Sequence, residues 1–368
     1  MKDREVEAEH PAVLQNETSV VAFLDGLRTR PTIDPDLAVR LEELRAVLTG
    51  DGDDDGTFLT VLLRTQGRRL EGFKDALLCL AAQTCQNFEL IVLVHNADAE
   101  ASDEVDRIVA SQIPSFTRRI NVVHLSGGGR ATPLNVGVAE ARGRYVAAYD
   151  DDDLLFAHWV EAFQEAGETT NGRMLRAIVA TQSVSPEMWP YDEAGFRSTT
   201  WPHADYARSF DQLDHLVVNH SPFMSWAIPR SLFQTVGVRF DEELDVCEDW
   251  DVILQGSLLL GVQSIDSLTS IYRRWDGGKS SYTEHSDAEW RVSEQRVIDR
   301  LNRSVLLFPP GTVDRVRRQL MSRPSESFEA ELRDIYRSRS WRLIRTVRRV
   351  LAPLRRTAGR TLRFLRLR

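Results

Sequence analysis

Four consecutive aspartates, Asp150 to Asp153, directly follow the apolar run Tyr145 to Tyr149 and constrain this chain more than any other feature. Adjacent carboxylates repel one another and resist burial, so a fold keeps them at the mouth of a strand when something cationic stands there. Carboxylate oxygens are hard ligands, which points to Mg²⁺ or Mn²⁺ and to the phosphate such ions accompany. A solvated acidic turn is the plainer reading of an aspartate run. Two features favour a site. The run ends a buried-type strand in a region of alternating strands and helices, where open α/β sheets place their ligands. A helical pattern from Leu154 to Ala166 then follows at once, so the acids sit on a short connection.

The 368 residues suffice for one large or two medium domains with a substantial core. No apolar run approaches the roughly 18 residues that span a bilayer, and the charged start, Met1 to His10, is not that of a secretory leader. Cys79, Cys85 and Cys247 are odd in number and form no CxxC pair, as expected of reduced thiols in a cytoplasmic protein without a zinc site. Arg342 to Arg368 holds ten arginines and no acid; removing those charges from the net −9 leaves −19 for the rest. In this tail Ile344, Val347, Leu351 and Leu354 recur at helical spacing among the arginines. Such a stretch, over 341–368, reads as a helix on an anionic membrane surface, peripheral on the inner face. Nucleic acid is the rival partner, disfavoured by an acidic body with no nucleic-acid motif.

Residues 1–56 read as a helical extension and acidic linker. Leu37, Leu41, Leu44 and Leu48 give Asp36 to Leu48 a face to pack on something. Asp51 to Gly56 opens like a calcium loop, but the position for its bidentate Glu is Leu62, so a solvated linker is the better reading. From Thr57 the pattern is βαβα: strands at Phe58–Leu63, Phe88–Val94, Ile120–Leu125 and Tyr145–Tyr149, separated by helices at Leu70–Ala82, Ser102–Ala110 and Thr132–Ala141. That alternation predicts an α/β, doubly wound, mostly parallel sheet. Residues 57–153 would form a nucleotide-binding half and 154–285 an acceptor half. The latter is rich in aromatics (among them Trp201, Trp226, Trp250 and Trp275) that suit sugar rings or core packing equally. Cys247 to Leu260 reads as a helix whose first acids serve either chemistry or the helix dipole. Residues 286–368 read as a helical, charged region ending in the basic tail.

Over roughly Thr57 to Ser281 the chain resembles a family-two glycosyltransferase of the GT-A fold, Rossmann-like in its first half, of the kind that builds bacterial surface polysaccharides. Leu59 to Gln66, Ala81 to Val92, Arg130 to Gly143 with the acid run, and Cys247 to Asp251 carry the resemblance by their order and spacing. It implies that Asp150 and Asp152, as a DxD motif, hold Mn²⁺ or Mg²⁺ on a UDP-, dTDP- or GDP-linked sugar, with Asp151 near the ribose. Arg64, Thr65, Gln66, Asn96 and Arg130 would meet the nucleotide. Asp249 would be the general base that deprotonates a hydroxyl of a glycan or lipid-linked acceptor, giving a hexosyl transfer with inversion. Glu248, Trp250 and Asp251 would support it or touch the acceptor. Two positions depart from the pattern: His95-Asn96 stands where the family has an Asp pair, and Trp275 where it has a His. His285 is the substitute ligand considered.

Two rivals stay open. Leu125 to Leu134 superficially resembles the glycine-rich signature of a sugar-phosphate nucleotidylyltransferase, though it follows the third strand rather than the first. A degenerate transferase domain acting as a membrane-recruited scaffold would explain His95-Asn96 and Trp275, but not the intact acid clusters.

Overall fold

The computed structural model describes residues 18–50, 56–170, 172–189, 193–276 and 285–322, together with 333, 334, 337 and 341. The linker 51–55 and the tail 342–368, with its expected membrane helix, lie outside the described residues. The chain divides into a compact unit ending at Pro309 and a second unit from Pro310.

The first unit opens with α1 (Val20–Arg28) and α2 (Pro35–Thr49). The βαβα region follows: β1 (Leu59–Thr65), α3 (Leu70–Ala81), β2 (Phe88–His95), α4 (Ala99–Ala110), α5 (Pro114–Thr117), β3 (Ile120–Leu125), α6 (Ala131–Glu140) and β4 (Tyr145–Asp150). Next come β5 (Leu154–Leu155), α7 (Trp159–Thr169), β6 (Met174–Trp189), β7 (Glu193–Ser198), α8 (Gln212–Val217), β8 (Trp226–Pro229) and α9 (Arg230–Gln234). The unit closes with α10 (Glu248–Leu260), β9 (Val262–Trp275) and α11 (Asp287–Asn302). In the second unit, α12 (Thr312–Ser322) carries Asp314 in its first turn.

One sheet runs in the order β3-β2-β1-β4-β8-β6-β9-β5, with β7 paired to β6. Its first four strands are parallel, and β6 also runs parallel to β9, while β8 joins β4 and β6 antiparallel. Continuous apolar runs make the parallel strands because both their faces are covered. Leu59, Val61 and Leu63 of β1 join one core with Phe73 and Leu77 of α3, whereas Leu62 joins the other with Leu134 and Val138 of α6. The sheet is therefore doubly wound, as the sequence pattern predicts.

Two expectations change. The helix drawn from Leu154 starts only at Trp159. Leu154 and Leu155 instead pair with Ile271 and Ser270 of β9, while Asp153 accepts the Arg273 backbone N–H at 2.8 Å. Tertiary pairing overrides a locally helical pattern there. The leucines of α2 also do not form one packed face. Leu48 packs against the core, but Leu37 and Leu44 are exposed. What fixes the N-terminal helices is local contact: Val21 enters the core that holds Val252 and Leu260 of α10, and the Ser231 hydroxyl donates to the Leu48 carbonyl at 2.8 Å. Helices α1 and α2 thus back α10 and α9.

Candidate active site

The sheet register places Arg64 beside Asp150 at the ends of β1 and β4. Arg64 grips that carboxylate with Nε at 2.9 Å and Nη2 at 3.0 Å, the bidentate geometry a guanidinium favours. Its Nη1 donates to the Glu248 carboxylate and to the Arg130 carbonyl, both at 3.2 Å. Arg130 in turn donates Nε to the same Glu248 oxygen at 3.1 Å. One ionic network thus joins β1, β4, the start of α6 and the start of α10, and it brings together the two acidic stretches that the sequence keeps apart.

Four adjacent carboxylates find four different partners. Asp150 takes Arg64. Asp151 turns inward and accepts from the Thr65 hydroxyl at 2.5 Å. Asp152 pairs with Arg69, and Asp153 is buried on the backbone of Arg273. Their protonation differs accordingly. Burial opposes charge on Asp150, but Arg64 prevails and holds it below the usual carboxylate range. Burial first, and the Asp152 charge second, push Asp151 up to about 7.

At α10 the three acids also separate by role. Cys247, the residue before the helix, has a left-handed backbone (φ 69°), which is uncommon for a non-glycine residue. Glu248 faces the two arginines, and although burial opposes its charge they keep it ionised. Trp250 is buried and anchors the turn through Nε1 to the His215 carbonyl at 2.7 Å. Asp251 points away, to Arg300 of α11 and to Gln255. Asp249 alone has only neutral partners by hydrogen bond: the Asn219 amide at 3.2 Å and the Trp250 backbone N–H at 2.7 Å. Burial, then the neighbouring Glu248 charge, raises it to about 6. A carboxylate so placed is poised to take a proton near neutral pH.

The remaining expected residues are spread more loosely. Gln66 is exposed. Asn96, with φ 56°, accepts the Gly127 backbone N–H at 2.7 Å, and His95 donates to the Gly127 carbonyl at 2.8 Å. The His95-Asn96 pair therefore shapes the glycine turn that leads into α6. Of the aromatics, Trp226 and Trp250 are core residues, whereas Trp201 is exposed.

A divalent cation bridging Asp150 and Asp152 does not fit this arrangement. Each carboxylate is already matched by a guanidinium, and an indole cannot ligate at Trp275. His285 lies beside Glu289 at the start of α11. Among the described residues no three His, Cys, Asp or Glu side chains converge to hold a metal ion. Arg69 and Asn219 are the partners that sequence reasoning missed. Arg69 follows Gly67-Arg68 just ahead of α3, a placement that offered a signal; Asn219 lies in an irregular segment that offered none.

The model of the family described as glycosyl transferase family 2 matches residues 68–237. Over 174 residues the chain is 27% identical to the uncharacterized glycosyltransferase EpsJ of Bacillus subtilis, a span of 46% of this chain and 47% of that protein. Over 87 residues it is 30% identical to an uncharacterized glycosyltransferase of Rickettsia conorii, covering 24% of this chain and 13% of the other. The chain thus spans about half or less of the curated relatives it matches. Among solved structures, S. aureus TarS 1-349 in complex with UDP-GlcNAc is similar at 16% identity and a TM-score of 0.48, over 66% of this chain and 65% of that one.

Proposed function

We propose, from the match of residues 68–237 to the glycosyl transferase family 2 model, that this chain moves a hexose from a UDP-, dTDP- or GDP-linked donor to a hydroxyl of a glycan or lipid-linked acceptor. Asp249 is the general base, and a single displacement inverts the anomeric centre. The observation that carries this reading is Asp249 itself: a partly buried carboxylate, free of guanidinium hydrogen bonds, raised to about 6 beside a floor of arginines. The acceptor hydroxyl loses its proton to Asp249 as its oxygen attacks the anomeric carbon, and the leaving nucleoside diphosphate carries away the bond's electron pair. Arg64 and Arg130 supply positive charge near that developing negative charge, in a site where fixed charges need no reorganisation. Cys247 and Trp250 hold the base in place.

Melting temperature against a panel of UDP-, dTDP- and GDP-sugars tests the donor, because a ligand that binds only the folded state raises it. Stabilisation by one nucleotide class supports the proposal, and no shift with any donor contradicts it. The basic segment 342–368 is, in the same proposal, an attachment to the anionic cytoplasmic membrane surface, where surface glycans are assembled. No helix among the described residues is long and apolar enough to cross a membrane. Flotation with anionic vesicles, comparing the full chain with one lacking 342–368, checks the attachment: equal binding by both contradicts it.

A further inference from the structure

Arg69 stands where two observations meet. Its guanidinium pairs with Asp152 at the end of β4, and it lies over the indole of Trp275 at 4.9 Å from the ring centroid. That indole is itself held: Phe196 meets it edge-on at 5.3 Å, and the Arg273 guanidinium covers Phe196 at 4.5 Å. Cation and ring alternate from Arg69 to Arg273, which fixes the Arg69 head group although its side chain is partly exposed at the site mouth. The sequence places Trp275 where a metal-ligating imidazole is implied, and Asp152 where a carboxylate ligand is implied. The cation found between them belongs to the protein.

The charges around the site reinforce this. Arg64, Arg69 and Arg130 face Asp150, Asp152 and Glu248, so these three carboxylates are balanced by three guanidiniums. These three carboxylates therefore have their counter-charge without an added dication. A guanidinium carries five donors in a planar fork, enough to hold a carboxylate and a phosphate at once.

We propose that Arg69, fixed between Asp152 and Trp275, takes the place of a divalent metal in binding the donor's diphosphate, so that this chain recognises a nucleoside diphosphate without metal. The inference rests on the donor reading above and names the group that meets the donor. Arg69 makes a planar, directional contact with the phosphate oxygens, and Asp152 serves to aim it rather than to ligate.

The test uses the full chain and the free nucleotides UDP, dTDP and GDP as probes, with affinity measured by calorimetry in EDTA and in Mn²⁺. The wild type is expected to bind one of them with the same affinity in both buffers, within about twofold. Arg69→Ala is expected to lose at least about tenfold in EDTA, and Mn²⁺ should restore part of it, because Asp152 is then uncovered. Arg69→Lys, which keeps the charge but not the stacked plane, should fall between the two and guards against misfolding of the alanine variant. Wild-type binding that needs Mn²⁺ would overturn the inference while leaving the donor reading intact, and so would undiminished binding by Arg69→Ala. Binding of none of the three in either buffer would overturn both.

Discussion

Asp150 and Asp249 sit in one small region, yet their partners give them opposite characters. Asp150 is clasped by Nε and Nη2 of Arg64 and stays ionised below the usual carboxylate range. Asp249 accepts hydrogen bonds only from neutral amides, feels the Glu248 charge, and is raised to about 6. Glu248 stands between them and shares Arg64 with Asp150. The difference shows how a single acidic region can hold fixed charge at one point and a proton acceptor at another. A guanidinium locks a carboxylate; an amide orients it without removing its basicity.

The comparison can be broken most severely at Asp249. Asp249→Asn is expected to lower transfer by about 10²- to 10⁴-fold, the usual contribution of a general base, while donor binding stays close to wild type by calorimetry. Arg64→Ala attacks the other side. It leaves Glu248, almost fully buried, with Arg130 alone, and chemical denaturation should report a loss of about 3 kcal/mol, the low end for breaking a buried ion pair.

Gly72→Ala comes next. An added Cβ would lie 2.4 Å from the Asp151 carbonyl, so α3 must push the acid turn aside. The expected loss is about 1–3 kcal/mol despite the better helix propensity of alanine, with weakened donor binding as the second readout. Arg300→Met should destabilise by about 1 kcal/mol and leave transfer unchanged. Asp251, already raised to about 6, can take up a proton when its partner goes. That variant separates the acid that fastens α10 to α11 from the acid that reacts. The subtlest change is Glu248→Gln, which removes a charge that raises Asp249; the acid limb of the pH–rate profile should move to lower pH.

The four parallel strands and α10 were legible in the sequence because uninterrupted apolar runs and a helical stripe ending at Gly261 need no long-range information. The acidic helix start that carries Asp249 was legible through the motif around it. The pairings were not. Arg64 reaches Glu248 across 184 residues and Arg69 reaches Asp152 across 83, distances over which sequence patterns say nothing of contact. For the same reason the acid run read as a bare cluster awaiting a metal, and Trp275 read as a missing ligand. Only the fold shows a guanidinium lying on that indole. Strand β5 escaped notice because two residues paired to β9 carry no period of their own.

The pH dependence of transfer tests the central claim most directly. A base raised to about 6 must be deprotonated to act, so the rate should be full above about pH 7 and fall about tenfold per unit well below pH 6. Asp150 is held ionised by Arg64 across the same range, whereas Asp151, raised to about 7, titrates within it, so the rate is read at saturating donor. An acid limb near 6 in kcat at saturating donor, absent in Asp249→Asn, is the predicted result. A saturated rate that stays level down to pH 5, or an acid limb that survives in Asp249→Asn, would contradict the assignment of Asp249 as the base.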